Sequence, residues 1–232
     1  MRQAEQQEEI GSTITGRLPS GRHGLPREAV VRAQRDRLIE SMIAVVAEIG
    51  YTEATVADVI RGAGVSRTTF YEQFTDKEDC FVAAYGSVMD GMFERVSEGV
   101  DSAGSPDWVD QIRAGITGLL EYLAENPLSI RTGIVEAFGA GPRARDRYRQ
   151  AVSAFLPFID AGRSLADQPE RIPGEVPRLI VGGISALVFA EASSGNAEGL
   201  PGLLPEMTYL ATAPYLGRER ALEVMEETEA PT

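Results

Sequence analysis

The chain has 232 residues, of which 43% are hydrophobic and 25% charged, and its net charge is −13. Such a length supports one large or two ordinary domains, and the composition is that of a soluble globular protein. A single cysteine, Cys80, excludes an internal disulfide and fits a reducing compartment. The acidic, glutamine-rich start does not resemble a signal peptide, and no apolar run approaches the roughly 20 residues of a membrane span. We therefore expect a cytoplasmic protein without a membrane partner.

The charges are unevenly distributed along the chain. Between residues 11 and 37, six arginines stand against Glu28 and Asp36, a local charge of +4, whereas the remainder is strongly acidic. Such acidity repels DNA from most of a surface and leaves one attractive end. Residues 1–24 are interpreted as a flexible arm, whose arginines either only solvate the tail or follow a DNA minor groove.

Two helices are predicted after this arm. The first begins at Pro26, a residue suited to the first turn of a helix, and ends at Gly50. The second begins with the Thr-x-x-Asp spacing of Thr55 and Asp58, which predicts a capping box. Gly64 ends it, because glycine adopts a left-handed conformation without a Cβ penalty.

A third helix is predicted from Arg67 to Phe74, with Ser66 as its N-cap. Phe70 and Phe74 lie four residues apart and share its inner face. The outer face is polar and has no acidic residue near its leading end; it consists of Arg67, Thr68, Thr69 and Tyr71. Such a face suits the DNA major groove, where base edges offer donors, acceptors and thymine methyl groups. From the residues alone, a helical hairpin whose polar face meets water is the alternative.

The run T-V-x-D-V-x-x-x-A-G-V-S-x-x-T-F-Y-x-x-F-x-x-K-E resembles the helix-turn-helix of the TetR (tetracycline repressor)/AcrR family, within a match from Arg27 to Tyr85. The resemblance implies a DNA-binding domain at residues 25–80, with the helix-turn-helix at about 55–74, and a larger helical domain at residues 81–232. The predicted DNA-binding residues are Thr55, Ser66, Arg67, Thr68, Thr69, Tyr71, Gln73 and Lys77. Gln73 departs from the family, since many relatives carry there a histidine that touches phosphate. Lys77 is predicted to clamp a phosphate from the first turn of a fourth helix.

The rest of the chain is predicted to be helical as well. Asp76 caps the fourth helix, and no convincing strand pattern follows it. The later helices are placed near 107–125, 128–139, 142–166, 175–194 and 203–216. The acidic tail after Gly217 is expected to fray. The predicted fold is therefore all-α, with a three-helix head, a larger helical body and about nine helices.

The helix at 175–194 carries no charge from Leu179 to Ala190. This stretch is too short to span a membrane, so protein must bury both of its faces. The family resemblance implies that the last two helices pair across a twofold axis to form a homodimer. The predicted interface residues are Leu179, Gly182, Gly183, Ala186, Met207 and Leu210.

Aromatic side chains recur on the helices between the head and this interface. Aromatic residues at such spacing are more often plain core, but the resemblance implies a cavity for a small, often apolar effector. The predicted pocket residues are Met92, Trp108, Tyr122, Phe138, Tyr148 and Phe155. Arg131 and Glu136 are considered as polar handles for the effector.

The sequence offers no catalytic or metal site and no cofactor fingerprint. His23 is the only histidine, and no P-loop, dinucleotide motif, nucleophile elbow or zinc spacing occurs. An architectural DNA-binding protein should be basic all over, which this chain is not; a helical interaction module without an effector is the other alternative. We predict a sequence-specific transcriptional regulator, a homodimeric repressor that a small-molecule effector releases from a palindromic operator.

Overall fold

The computed structural model describes residues 26–229, and this part of the chain contains ten α-helices and no strand. The helices are α1 (Arg27–Glu53), α2 (Val56–Ala63), α3 (Arg67–Gln73), α4 (Lys77–Ala103), α5 (Trp108–Glu125), α6 (Pro127–Ile130), α7 (Pro142–Asp160), α8 (Val176–Ser193), α9 (Leu204–Leu216) and α10 (Arg218–Glu229). The predicted all-α fold is confirmed. The predicted arm, with Arg17, Arg22 and His23, lies outside the described residues.

Helices α1 to α3 form the head. Leu38 and Met42, four residues apart on α1, are fully buried against the other head helices. Helices α1 and α2 approach so closely that a Cβ atom at Gly62 would lie 2.2 Å from the Ser41 hydroxyl oxygen. That hydroxyl donates a hydrogen bond of 2.9 Å to the Val59 carbonyl, which fixes the crossing of α1 and α2.

Helix α1 begins directly after Pro26 and breaks at Gly50, as predicted. Gly50 has φ 80° and ψ 159°, a conformation that favours glycine, and one further helical turn then runs to Glu53. The break turns the end of α1 towards the body, where side chains from two other segments meet it.

Helix α4 connects the head to the body without interruption. It has 27 residues and is therefore about 40 Å long. A first hydrophobic core contains the buried residues of the head, the inner face of α4 as far as Met92, and four alanines between Ala137 and Ala151. This core crosses residue 80, the predicted boundary between the head and the body, because α4 belongs to both.

A second core lies between α5, α8 and α9. Trp108, at the start of α5, donates from its indole nitrogen to the Phe158 carbonyl at 3.1 Å and packs edge-on against Tyr215. Leu119 and Tyr122 on α5 pack against both cores, so the two cores meet along this helix.

Two helices of the body differ from the sequence prediction. The helix expected at 128–139 is the short α6 followed by a π-helical turn, Arg131–Val135, and a 3-10 turn, Glu136–Phe138. The helix expected at 142–166 is α-helical only to Asp160 and continues as a 3-10 turn.

The expected fraying of the tail is wrong. Residues after Gly217 form α10, whose Ala221 and Val224 side chains are fully buried. Arg113 on α5 also pairs with Glu227, at 3.6 Å, and donates to the Thr228 hydroxyl. The sequence analysis considered only the acidic composition of this segment and not the two small apolar residues that pack against the body. With α10, the described part of the chain has ten α-helices instead of the predicted nine.

Candidate functional site

The helix-turn-helix is held by local caps, as the sequence predicts. The Thr55 hydroxyl accepts from the Asp58 amide at 3.2 Å, and the Asp58 carboxylate accepts from the Thr55 amide at 3.1 Å. The hydrogen bond from the Thr55 side chain is the main reason why the pKa of Asp58 is lowered. Gly64 is left-handed, with φ 62°, and the Ser66 hydroxyl accepts from the Thr69 amide at 3.0 Å. Thr55 and Ser66 thus use their side chains for capping.

The outer face of α3 presents hydrogen-bonding groups to solvent. Arg67 and Thr68 are exposed, and Tyr71 is 48% exposed. The Arg67 guanidinium lies 5.5 Å from the centre of the Tyr71 ring and donates to its hydroxyl at 3.5 Å. Thr69 is half-buried, and its hydroxyl lies 2.9 Å from that of Ser66. The first turn of α3 contains no acidic residue, so its positive helix end is not neutralised.

Helix α3 is fastened to α1 by a residue that the sequence analysis did not single out. The Arg35 guanidinium lies 4.4 Å from the centre of the Phe74 ring and donates to the Gln73 carbonyl at 3.2 Å. Phe70 and Phe74 are buried on the inner side, as predicted. No local pattern in the sequence pairs Arg35 with Phe74, because 38 residues separate the two ends of the hydrogen bond.

Lys77 points into the protein, which differs from the predicted phosphate clamp. Its ammonium group donates to the Tyr51 carbonyl at 2.9 Å and to the Ala54 carbonyl at 2.8 Å. It also lies 4.2 Å from the centre of the Tyr51 ring. Two of its three protons therefore satisfy carbonyls at the end of α1, where a helix leaves such groups unpaired.

Arg131 and Glu136 hold the same end of α1 from the body side. Arg131 donates to the Ala47 carbonyl at 2.9 Å and to the Glu136 carboxylate at 3.2 Å. That carboxylate accepts from the Tyr51 amide at 3.1 Å. These contacts correct the suggestion that both residues serve as polar handles for an effector, since they face the head.

A second ion cluster joins the start of α7 to the start of α4. Arg143 pairs with Asp76, with Glu78 at 3.1 Å and with Asp79 at 3.8 Å. The two closest pairs are the main reason why the pKa of Arg143 is raised. Alternating arginines in this helix gave no signal of which one reaches the head.

The body contains a cavity of about 100 Å³. Residues of α4, α5, α6, α7, α8 and the segment after α6 line it. Three of the predicted pocket residues, Met92, Tyr148 and Phe155, belong to the lining. Phe155 is stacked on Phe93 with ring centres 4.4 Å apart.

Two other predicted pocket residues lie elsewhere, and for Phe138 only the backbone is described. Trp108 packs in the second core and does not belong to the cavity lining. Tyr122 donates from its hydroxyl to the carbonyl of the lining residue Val88 at 3.2 Å, but it does not itself belong to the lining. The sequence analysis missed the wall that α8 supplies, because it expected one face of that helix to pack in the core and the other to meet a dimer partner.

Part of the apolar surface of α8 is not covered by the residues that the structure describes. Leu179 is 70% exposed, and Gly182 and Ala186 are also exposed. Gly183, by contrast, faces α9, since a Cβ atom there would lie 2.9 Å from the Leu210 side chain. By length and composition α8 would also meet the minimum for a membrane span, and 22% of it is buried.

On α9, two of the predicted interface residues differ in placement. Met207 is fully buried in the second core and has no surface left for a partner, whereas Leu210 is half-buried. Of the predicted interface residues, Met207 is therefore buried within the chain and Gly183 contacts α9, whereas Leu179, Gly182 and Ala186 are exposed.

A buried core under two capped helices, with a polar outer helix presented to solvent, defines a helix-turn-helix DNA-binding protein. Residues 38–84 match the family described as bacterial regulatory proteins, tetR family. The chain is 30% identical over 168 residues to the HTH-type transcriptional regulator EthR of Mycolicibacterium smegmatis, a match that covers 69% of this chain and 72% of that protein. The chain therefore belongs to the TetR family of DNA-binding transcriptional regulators and is not an enzyme.

Solved structures show the same fold. The fatty acid degradation regulator FadR from Bacillus halodurans superposes with a TM-score of 0.65 at 18% identity, covering 77% of this chain and 94% of that one. FadR from Bacillus subtilis, solved in complex with stearoyl-CoA, gives 0.62 at 17% identity, covering 77% of this chain and 98% of that one.

Proposed function

We propose that this regulator is a cytoplasmic homodimeric repressor, and that a small molecule bound in the body releases it from a palindromic operator. The observation that carries the effector part is the segment 131–136. Gly133 and Ile134, inside it, line the cavity. Arg131 and Glu136, at its two ends, hold the end of α1. A molecule that fills the cavity therefore touches a segment that also positions the head.

DNA recognition is assigned to the outer face of α3. Arg67, Thr68 and Tyr71 are exposed there and present donors and acceptors, and the half-buried Thr69 borders them. Arg67→Ala should weaken a specific site by roughly 1–3 kcal/mol more than random DNA if it reads a base. Protection of the DNA upstream of the protein's own gene supplies the site to be measured. An unchanged ratio of specific to random affinity would remove the base-reading role of Arg67.

The homodimer is supported by the uncovered face of α8, since exposed apolar surface of this kind marks association sites. In a dimer, the two reading helices would contact half-sites about one helical turn, roughly 34 Å, apart. Release then requires a ligand that binds better to a conformation with a different head spacing, and the shift is limited by that difference in affinity.

Gly182→Arg tests the interface, because among residues 26–229 a Cβ placed there meets no atom within 4 Å apart from its chain neighbours and its own helix backbone. The variant should sediment as a monomer with native helicity and should lose operator binding, because the charge would be buried between two chains. Gly174→Arg, at an equally open glycine before α8, is the matched control and should stay dimeric. A Gly182→Arg protein that remains dimeric would place the interface elsewhere.

Arg131→Met tests the coupling between the cavity and the head. The variant keeps the cavity lining, so it should bind the effector as before but release DNA less completely. Arg149→Met, which removes an exposed arginine that pairs with Asp146 on α7, is the matched control. Normal release by the Arg131 variant would remove segment 131–136 from the mechanism.

A further inference from the structure

We propose that the effector is an uncharged, elongated and mainly apolar molecule with no more than a neutral hydrogen-bonding group, and that carboxylates and coenzyme A thioesters are excluded from the cavity. This inference rests on the proposed effector function. It concerns the chemical class of ligand that the cavity accepts.

The lining carries no charge. All of its side chains are apolar except for the hydroxyl groups of Tyr85, Ser129, Tyr148 and Ser185. Burial raises the pKa of the Tyr85 phenol, so this group stays neutral and hydrogen-bonding at physiological pH. A hydroxyl can serve an alcohol, ester, ketone or amide oxygen, whereas an unpaired carboxylate in such surroundings is strongly disfavoured.

Charged residues that neighbour the lining residues in sequence form ion pairs with other residues of the protein. Arg95, beside the lining residue Val96, pairs with Glu121 at 3.4 Å and with Glu125 at 3.0 Å. Asp160, beside Ile159, pairs with Arg163 at 2.9 Å. A charged ligand would have to break one of these pairs to find a counter-ion.

Arg113, beside the lining residue Ile112, pairs with Asp110 at 3.1 Å and with Glu227 at 3.6 Å. A further candidate counter-ion is Arg147, which precedes Tyr148 on α7. Its guanidinium lies 3.8 Å from the exposed Asp90 carboxylate and 3.7 Å from the Cβ position of the buried Gly86 on α4, and its charge opposes the rise that burial causes in the pKa of Tyr85. It does not belong to the cavity lining. Arg147 is therefore the residue whose removal separates a charged from a neutral ligand.

The lining of the cavity extends over about three turns of the helices that form it. It runs along α4 from Tyr85 to Val96 and along α7 from Tyr148 to Ile159. Eleven residue steps of a helix correspond to about 16 Å, and α5 contributes a stretch of the same length. A volume of about 100 Å³ spread over such a length leaves room for a chain or a thin ring system.

The test compares three probes that share one alkyl chain: 1-dodecanol, dodecanoate and dodecanoyl-coenzyme A, each below its micelle concentration. Calorimetry on the full chain should give the alcohol the tightest binding, with the carboxylate weaker by about 10- to 100-fold. The alcohol should also release operator DNA. Arg147→Met should leave the affinity for the alcohol unchanged.

Ala151→Trp and Ser185→Phe place bulk into the lining and should each abolish binding of the alcohol while native helicity is kept. Two variants are used so that a folding defect in one does not decide the result. Tighter binding of dodecanoate or the thioester, abolished by Arg147→Met, would overturn the inference and leave the effector function intact. If none of the three probes bound, the inference about the ligand class would be overturned. If a probe bound in the cavity but did not change DNA binding, the proposed effector function would fail instead.

Discussion

Lys77 is the only lysine of the chain, and its inward orientation makes a specific prediction. Lys77→Met keeps the aliphatic stem but removes the charge and both hydrogen bonds to the end of α1. Hydrogen bonds from a charged group contribute about 1.5–3 kcal/mol each when buried, and a cation over a ring about 0.5–1 kcal/mol when exposed. Lys77 is half-buried, and water can replace part of these interactions. We therefore expect the free energy of unfolding to fall by roughly 2 kcal/mol.

Urea denaturation followed by circular dichroism measures this change, and the midpoint temperature should fall by about 4–8 °C for a chain of this size. The same variant is then titrated with DNA at several salt concentrations, at a temperature where it is folded. A capping role leaves the salt dependence unchanged, whereas removal of a phosphate-binding charge lowers its slope by roughly 0.9. Arg67→Met removes the same charge from the exposed face of α3 and is the matched control. Full stability with a lower slope would refute the capping role of Lys77.

Four further predictions concern the head, the arm and the tail. The pKa of Asp76 is lowered, first by the hydrogen bond from the Asp79 amide. The charged carboxylate therefore stabilises the fold above the unfolded pKa of about 3.9. This contribution is lost as the pH falls through the lower pKa of the folded state. Asp76→Asn keeps a cap without a charge, and its deficit in urea stability should therefore shrink below about pH 4. Gly62→Ala should destabilise the head by about 1–3 kcal/mol through overpacking, and the better helix propensity of alanine should offset about 1 kcal/mol of this loss. Adding Ser41→Ala to this variant should recover part of the lost stability, which a double-mutant cycle measures. Deletion of residues 1–20 should leave the melting temperature unchanged and flatten the salt dependence of DNA binding by roughly 0.9 for each phosphate that the arm neutralises, whereas an unchanged slope leaves the arm as a solvated tail. Ala221→Asp should detach α10 and cost about 1–3 kcal/mol in thermal unfolding, because it buries an unpaired polar group.

The local signals of the head could be read from the sequence because they act over three or four residues. The capping box of Thr55 and Asp58, the left-handed Gly64 and the Ser66 cap all depend on neighbours along the chain. The inner pair Phe70 and Phe74 follows from helical spacing in the same way. The caps and the buried face of these helices could therefore be predicted from the sequence.

The directions of long side chains could not be read in this way. Lys77, Arg131 and Glu136 each reach a helix end far away in the sequence, so their partners exist only once α1, α4 and the π-helical turn are packed. Gly182 and Gly183 differ by one residue, which is about 100° around a helix, and this step decides between solvent and the packed α9. Periodicity predicted the helix, but it did not predict its rotation.

The first core has a consequence for how the protein melts. Because it contains head residues, the face of α4 that lines the cavity and alanines up to Ala151, the head has no closed core of its own. Head and body should therefore unfold in one cooperative transition, and a fragment ending at residue 80 should not fold. A ligand that binds only the folded cavity then stabilises distant head amides by RT ln(1 + [L]/Kd). In the absence of DNA, amide hydrogen exchange in α1 should therefore become slower when the effector binds, although α1 lies in the head and the effector in the body.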